Sequence, residues 1–289
     1  MTLPIDSHLD SLVPQQQFDR RGFLVTSLGA GFALAVLPVS AQTITTAADG
    51  LVAGEVKVKT KDGEMPAYRA MPATGSNFPT ILVISEIWGV HEHIADVCRR
   101  FAKLGYFAIA PELFARAGDP RKIADTAALI KDIVAKTPDA QVLSDLDATV
   151  EYAKAGGKAD TAKLGITGFC WGGRMTLMYT AHNPGIKAAV AWYGALRAFA
   201  PGDRTPFDVA AQIKAPLLAL YGGADAGIPT PDAEKMRDAV KSGGNTRVEW
   251  IIYPDTPHAF HADYRPSYRK EQAEDGWKRA TAWFKQYLA

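Results

Sequence analysis

Residues 168–173 read GFCWGG and place a nucleophilic side chain, Cys170, between glycines. The apolar run 164–167 precedes them, and a helix-like stretch begins at Arg174. A strand, a glycine turn and a helix form a nucleophile elbow, because glycines let the chain pass the tight reversal without collision. Cysteine at its centre predicts attack by a thiolate, which a base or a positive field must generate. The alternative is that Cys170 is a small buried apolar residue, although a core cysteine needs no such turn.

Buried strands alternate with amphipathic helices along most of the chain. This alternation predicts an α/β fold, a mostly parallel sheet with helices on both faces. A hairpin of strands at 55–59 and 65–69 precedes it. The predicted later strands are 80–84, 107–110, 164–167, 187–193, 216–221 and 247–253, and the predicted helices are 91–104, 120–136, 139–155, 172–182, 231–241 and one from about 268.

Polar residues that could activate the thiol follow the last two predicted strands. Asp225 follows the strand at 216–221, and His258 follows the strand at 247–253. Active groups of such sheets gather at the carboxyl ends of the strands, and the order nucleophile, acid, histidine is that of α/β-hydrolases. We predict that His258 takes the thiol proton and later protonates the leaving group, while Asp225 fixes its tautomer and stabilises the imidazolium.

Other assignments of the acid and the base are open. Asp225 could be a turn aspartate that binds its own backbone, and Asp255 could be the acid, although it lies on the same loop as the histidine. His261 is a rival base. We prefer His258 because it lies nearer the end of its strand, where the loop first reaches the elbow.

A carboxylate also stands where the predicted central strand ends, at Glu86. In this fold the loop after that strand supplies one backbone N–H of the oxyanion hole, and the residue after the nucleophile, here Trp171, supplies the other. Glu86 could control the ionisation of Cys170. Alternatively, it is a charge favoured by the dipole at a helix N-terminus.

The composition indicates one globular domain without a nucleic-acid partner. The chain has 289 residues, 47% of them hydrophobic, and a net charge of +1, so no basic field points to nucleic acid. Cys98 lies in a helical run and is predicted to be an inert core residue. We interpret His91, His93 and His182 as helix-end or surface residues, and His91-x-His93 alone does not indicate a metal site.

The first residues resemble an export signal rather than part of the fold. Twin arginines, Arg20 and Arg21, precede an apolar stretch at 23–39 that ends in a small-x-small pattern at Ala41. The stretch is about 17 residues long, short of the ~20 that a spanning helix prefers. We predict a twin-arginine signal at 1–41 that transiently meets its export machinery, a linker at 42–54 and one domain at 55–289. The mature protein would be periplasmic or secreted, without stable membrane insertion.

Four segments together resemble the dienelactone hydrolase family (carboxymethylenebutenolidases) of the α/β-hydrolase superfamily. They are SEIWGV at 85–90, APELF at 110–114, GFCWGG at 168–173 and PHAF at 257–260. The resemblance covers about 55–289 and implies cofactor-free hydrolysis of a small lactone or carboxylic ester. A broad esterase of the same fold, or a non-catalytic binding protein that retains the pocket, is the alternative.

The resemblance also implies roles for individual residues. Glu86 would accept the thiol proton once substrate displaces it from its resting contacts. Well-studied members of the family carry a second carboxylate-binding arginine four residues after the catalytic histidine, where this chain has Ala262 and, nearby, Arg265. The implied triad is Cys170, Asp225 and His258, the implied oxyanion donors are the amides of Ile87 and Trp171, and the implied carboxylate-binding residue is Arg116.

Overall fold

The computed structural model describes residues 44–289, and the predicted export signal lies outside the described residues. Its core is one eight-stranded sheet in the order β1-β2-β4-β3-β5-β6-β7-β8. The β1–β2 and β2–β4 pairs are antiparallel and the other pairs are parallel. The strands are β1 Leu51–Thr60, β2 Gly63–Pro72, β3 Phe78–Ile84, β4 Phe107–Pro111, β5 Ala159–Phe169, β6 Ile186–Trp192, β7 Leu217–Gly222 and β8 Val248–Tyr253.

Helices cover both faces of this sheet, as the alternation of elements predicts. The helices are α1 Glu92–Lys103, α2 Thr126–Asp132, α3 Asp139–Ala155, α4 Trp171–His182, α5 Pro206–Val209, α6 Thr230–Ser242 and α7 Lys270–Leu288. Short 3-10 turns occupy Pro120–Lys122, Val134–Lys136 and Ala210–Gln212.

Alternate residues of the central strand β3 enter two separate cores. Ile81 and Val83 pack with α1 and α7, whereas Leu82 and Ile84 pack with α3 and α4. This alternation follows from the period of two along a strand. β3 is therefore buried on both faces, and only its end is left to carry polar chemistry.

The predicted helix at 120–136 is wrong as a single element. The chain there forms a 3-10 turn, the short helix α2 and a second 3-10 turn. Asp119 accepts a hydrogen bond from the amide of Arg121, and Asp125 accepts one from the amide of Ala128. Each aspartate is the N-cap of a new helical turn. Its side chain accepts a backbone hydrogen bond and so prevents one continuous helix from forming.

Two strands extend beyond their predicted limits. β5 begins at Ala159, before the predicted 164, and β1 begins at Leu51, within the segment interpreted as a linker. The chain before β1 also contacts the fold, since the amide of Ile44 donates to Asp263 Oδ2 at 3.1 Å. Within residues 44–289, no helix is long and apolar enough to span a membrane.

Candidate active site

Cys170 lies at a sharp reversal between β5 and α4. Its backbone has φ 58° and ψ −114°, a conformation that costs a non-glycine residue about 1–3 kcal/mol. The amide of Cys170 donates to the carbonyl of Trp192 at 3.0 Å, which ties the reversal to the end of β6. A Cβ on Gly172 would overlap the carbonyl oxygens of Ile84 and Ser85. The glycine therefore lets the elbow, residues 168–173, press against the loop that follows β3.

The loops after β7 and β8 are joined to each other. The amide of Ala224 donates to the carbonyl of Thr256 at 3.0 Å, and the amide of Gly223 donates to the carbonyl of Tyr253 at 2.7 Å. These two bonds fix the relative position of Asp225 and His258. Neighbouring parallel strands end at the same edge of the sheet, so the joined loops reach the same edge as the elbow.

Asp225 performs both of the tasks that the sequence left open. Its Oδ1 accepts hydrogen bonds from the amides of Gly227 and Ile228 at 2.8 and 3.2 Å, as a turn aspartate does. Its Oδ2 lies 2.6 Å from Nδ1 of His258. An ionised carboxylate accepts only, so Nδ1 carries the proton of this bond. The other imidazole nitrogen, Nε2, is thereby left for the nucleophile side.

His258 interacts with the Cys170 side chain as well as with Asp225. Burial opposes a positive charge on the imidazole, but the charges of Asp225 and Cys170 and the hydrogen bonds to both outweigh it. Together they raise the pKa of His258 to about 10. The structure thus brings together the three residues that the sequence predicts as a triad, and this arrangement can accept a proton from the sulfur and hold it.

The rival acid and base do not take part in this contact. His261 packs against the rings of Phe169 and Trp192, with centroid distances of 5.2 and 4.5 Å. Burial, together with the nearby charges of His93 and Arg100, holds the pKa of His261 well below its usual range. Asp255 is exposed in a turn with φ 53°. The geometry therefore selects His258 and Asp225.

Glu86 is buried beside the elbow and is ionised. Its Oε2 lies 3.3 Å from Nε2 of His91. Burial works against the charge, but the hydrogen bond to His91 and the positive charges of His91, His93 and Arg265 lower the pKa of Glu86 to about 2. Its other oxygen, Oε1, is buried without a hydrogen-bond partner among residues 44–289. One oxygen of the carboxylate is thus held and the other is available to a neighbour.

The expectation that His91 and His93 are helix-end or surface residues is wrong about their exposure. His91 is the N-cap of α1, but both side chains are buried. His91 binds Glu86 and lies 3.3 Å from the Tyr264 hydroxyl, while Nδ1 of His93 lies 3.0 Å from Asp263 Oδ1. The β8–α7 loop covers the start of α1, and the sequence gives no local sign of that long-range contact. His182 is exposed at the end of α4, as expected.

The predicted oxyanion donors lie on two loops that touch. Trp171 is the first residue of α4, so its N–H has no intrahelical acceptor. Ile87 follows Glu86 in the loop that contacts the elbow at Gly172. Within the described part of the chain, neither amide donates to another protein group. Two free amides on adjoining loops can stabilise a developing negative charge if they face the same carbonyl oxygen.

The structure does not bring Arg116 to this cluster. Its guanidinium makes a bidentate pair with the buried carboxylate of Asp145, at 2.5 and 2.9 Å, and also contacts Asp62 and Thr60. These bonds hold the pKa of Arg116 above its usual value, and Cys170 is not among the charges that act on it. Arg116 is therefore neutralised by carboxylates of its own surroundings.

Two other arginines interact electrostatically with the Cys170 side chain. Arg265 lies over the rings of Trp88 and Tyr264, 5.4 and 5.2 Å from their centroids, and its charge acts on Glu86 and Cys170. Arg197, in the loop after β6, also interacts electrostatically with Cys170.

Sequence reasoning left Arg197 and Tyr193 without a role. The Tyr193 ring meets the His258 imidazole edge to face at 5.0 Å. Tyr193 directly follows β6, so the strand-end rule that predicts Asp225 also applies to it.

Within the described residues, no group of three or more His, Cys, Asp or Glu side chains is arranged to hold a metal ion.

The sheet order, the elbow and the strand-end residues define an α/β-hydrolase. The family model of the dienelactone hydrolase family matches residues 65–288, and the chain belongs to that family.

Relatives and solved structures agree with this membership. A Methylorubrum extorquens protein named "Putative carboxymethylenebutenolidase" is 60% identical over 285 residues, covering 98% of each chain. An Escherichia coli protein of the same name is 49% identical over 271 residues, covering 91% of this chain and 98% of its own. A Klebsiella pneumoniae crystal structure titled "Putative Dienelactone Hydrolase" superposes with a TM-score of 0.79 at 49% identity, covering 82% of this chain and 99% of that one.

Proposed function

We propose that this hydrolase cleaves a small lactone or carboxylic ester with Cys170 as its nucleophile. The observation that carries the proposal is the position of the His258 imidazole, which is bonded to Asp225 and interacts with the elbow thiol. Such a relay is the machinery of acyl transfer. The names of the relatives point to the lactone that carboxymethylenebutenolidase opens as one substrate.

The reaction would proceed in two halves. His258 takes the proton of Cys170 as the sulfur attacks the substrate carbonyl, and the amides of Ile87 and Trp171 hold the resulting oxyanion. The carbon–oxygen bond breaks, His258 gives its proton to the leaving oxygen, and an acyl-thioester remains. His258 then takes a proton from water as the oxygen attacks the thioester carbonyl. The carbon–sulfur bond breaks, His258 returns its proton to the Cys170 sulfur, and the acid product leaves.

Glu86 would regulate the sulfur before substrate arrives. Held by His91, the carboxylate is an additional negative charge near the elbow, and a carboxylate next to a thiol disfavours the thiolate. Substrate entering the site would draw Glu86 away from His91 and weaken this repulsion, so that His258 takes the thiol proton as the attack begins. The protein would then hold its reactive thiolate mainly when substrate is bound.

The nucleophile assignment is tested with the two cysteines of the chain. Cys170→Ala should abolish turnover of a panel of small 4-nitrophenyl esters and lactones, a loss of at least about 10³-fold, because no other group can form the acyl intermediate. Cys98→Ala, which removes the other buried thiol, should keep turnover within about twofold. Cys170→Ser should be poor, since the surroundings favour activation of a thiol.

The outcomes separate the candidate functions. Turnover retained by Cys170→Ala at the wild-type rate would rule out Cys170 as the nucleophile. Esters and lactones that bind but are never cleaved by the wild type would favour a binding protein that retains the pocket. Cleavage of simple esters without lactones would identify a broad esterase.

We also propose that residues 1–41 export the folded protein to the periplasm or beyond. The twin arginines and the small-x-small pattern at Ala41 support this. Fractionation of bacterial cells and sequencing of the mature N-terminus test it. A start at Gln42 in the exported fraction is expected, and an intact chain that stays in the cytoplasm would contradict it.

A further inference from the structure

The His258 loop, residues 254–269, connects β8 to α7 through successive turns. The amide of Ala262 donates to the carbonyl of Ala259 at 3.0 Å, and the amide of Arg265 donates to the carbonyl of Ala262 at 2.9 Å. Ala259 directly follows His258, so these bonds connect the backbone beside the imidazole to the middle of the loop. A displacement of the middle of the loop would therefore also displace His258.

Asp263 lies in the middle of this loop and is 4% exposed. Its Oδ1 lies 3.0 Å from Nδ1 of His93, and its Oδ2 accepts a hydrogen bond at 3.1 Å from Nη2 of Arg100. The same Oδ2 accepts a hydrogen bond from the amide of Ile44 at 3.1 Å. Burial works against the carboxylate charge, but the hydrogen bond to His93 and the charges of His93 and Arg100 lower the pKa of Asp263 to about 2. An ionised side chain thus joins the His258 loop to α1 and to the segment before β1.

α1 follows the loop that forms the other half of the active site. That loop, residues 85–91, carries the amide of Ile87 and leads directly into the helix. His91, the N-cap of α1, lies 3.3 Å from the hydroxyl of Tyr264, the residue after Asp263. Asp263 and Tyr264 therefore connect the loop of the base to the helix that follows the predicted oxyanion donor.

Asp96, in α1, provides a comparison, because it is also buried and binds the same arginine and the same segment before β1. It is 1% exposed and accepts hydrogen bonds from Nε of Arg100 and from the amide of Thr46. Among residues 44–289, it makes no hydrogen bond to the His258 loop. Asp96 thus ties the segment before β1 to α1, whereas Asp263 ties both of them to the loop of the base.

We propose that Asp263 is a positioning residue, a tether that holds the His258 loop against α1 so that the imidazole and the oxyanion donors act on the same carbonyl group. The segment before β1 supports the tether through the amide of Ile44. Asp263 acts through His258 rather than on the substrate, and its effect on turnover rests on the ester or lactone hydrolysis proposed above. A displacement of about 1 Å in such an arrangement can lower the rate about 100-fold.

Asp263→Asn tests the tether, because an amide group cannot accept all the hydrogen bonds that the two carboxylate oxygens accept. The variant should lower kcat for 4-nitrophenyl esters about 10- to 100-fold and leave KM within about threefold, since the displaced groups act in the chemical step. The matched control is Asp96→Asn, which should lower the urea midpoint of unfolding as Asp263→Asn does but keep kcat within about twofold. Equal kcat values in the two variants would overturn the proposal.

A second pair of variants decides the proposal if Asp263→Asn does not fold. Ile44→Pro removes the backbone N–H that donates to Asp263, whereas Ile44→Ala shortens the same side chain and keeps that N–H. Loss of one hydrogen bond to a charged group should lower kcat about threefold to tenfold in Ile44→Pro, and Ile44→Ala should stay within about twofold of the wild type. Indistinguishable kcat values for Ile44→Pro and Ile44→Ala would overturn the proposal.

Hydrogen exchange measures the tether without any turnover. Peptides covering 258–268 should exchange at least about tenfold faster in Asp263→Asn than in the wild type, and at the wild-type rate in Asp96→Asn. Unchanged exchange in Asp263→Asn would overturn the tether. Faster exchange there, in a protein whose wild type cleaves neither esters nor lactones, would overturn the proposed hydrolysis and keep the tether.

Discussion

The two cysteines of this chain are both buried, but they lie in opposite kinds of surroundings. Cys98 is 0% exposed on the inner face of α1, where it packs in an apolar core. Cys170 is 6% exposed at a strained turn, where it interacts electrostatically with an imidazole and two arginines. Burial raises the pKa of the Cys98 thiol well above its usual range, and the nearby charge of Arg99 does not offset it.

The comparison teaches that burial alone does not decide what a thiol can do. A helix interior offers apolar neighbours and satisfied backbone groups, so a cysteine there behaves as a small hydrophobic residue. A strand end offers free amides and the polar residues of adjacent loops. The three predictions below test this difference, in order of decreasing expected effect.

Replacing the carboxylate behind His258 should have the largest effect. Asp225→Asn should lower kcat about 10⁴-fold, because an amide donor at that position favours the wrong tautomer of His258. Steady-state kinetics on the 4-nitrophenyl esters measures it. Asp255→Asn, on the same loop as the histidine, should stay within about twofold. Comparable losses in the two variants would mean that the His258–Asp225 contact does not matter for turnover.

The two thiols should also differ in their reaction with iodoacetamide. At pH 7 Cys170 should be alkylated at least about 100-fold faster than Cys98, because His258 can take its proton while Cys98 is enclosed by apolar side chains. Peptide mass spectrometry over a time course gives both rates in one sample. Labelling of both thiols at similar rates in the folded protein would contradict this difference in reactivity.

The charged surroundings of Cys170 should make the fold sensitive to acid through Glu86. Its pKa is lowered from 4.5 to about 2, so its ionised form stabilises the fold above pH 4.5, and this contribution is lost as the pH falls towards 2. Between pH 5.5 and 2, the free energy of unfolding should therefore fall by about 3 kcal/mol less in Glu86→Gln than in the wild type. Urea denaturation at a series of pH values measures this.

Glu112 provides a control of opposite sign. Burial raises its pKa despite the hydrogen bond from the Val90 amide, so its protonated form stabilises the fold at low pH, and this contribution is lost as the pH rises. Glu112→Gln should therefore lose more stability on acidification than the wild type does. The same response in both variants would contradict the assigned signs.

The residues at strand ends could be predicted because their positions depend on local pattern. Cys170, Asp225 and His258 each follow an apolar run, and parallel strands bring their carboxyl ends to one edge. The helix at Asp139–Ala155 agrees with its predicted limits. The broken segment at 120–136 was not predicted, because capping by single aspartates overrode its helical pattern.

Contacts between distant segments could not be predicted in the same way. His91 and Tyr264 are 173 positions apart, and nothing in either segment indicates that their side chains meet. The position of Arg116 depends on which carboxylate its guanidinium finds. Asp145 reaches Arg116 from α3, and such pairing is a property of packing rather than of spacing.

The backbone angle at Cys170 also limits what evolution can place at that position. A side chain branched at Cβ is strongly disfavoured where φ is positive, so threonine and valine are excluded on steric grounds. Only compact, unbranched replacements remain open, serine foremost among them. Homologues that evolve new chemistry would therefore change the residues that surround the nucleophile. The turn itself would continue to accept only a small, unbranched nucleophilic residue.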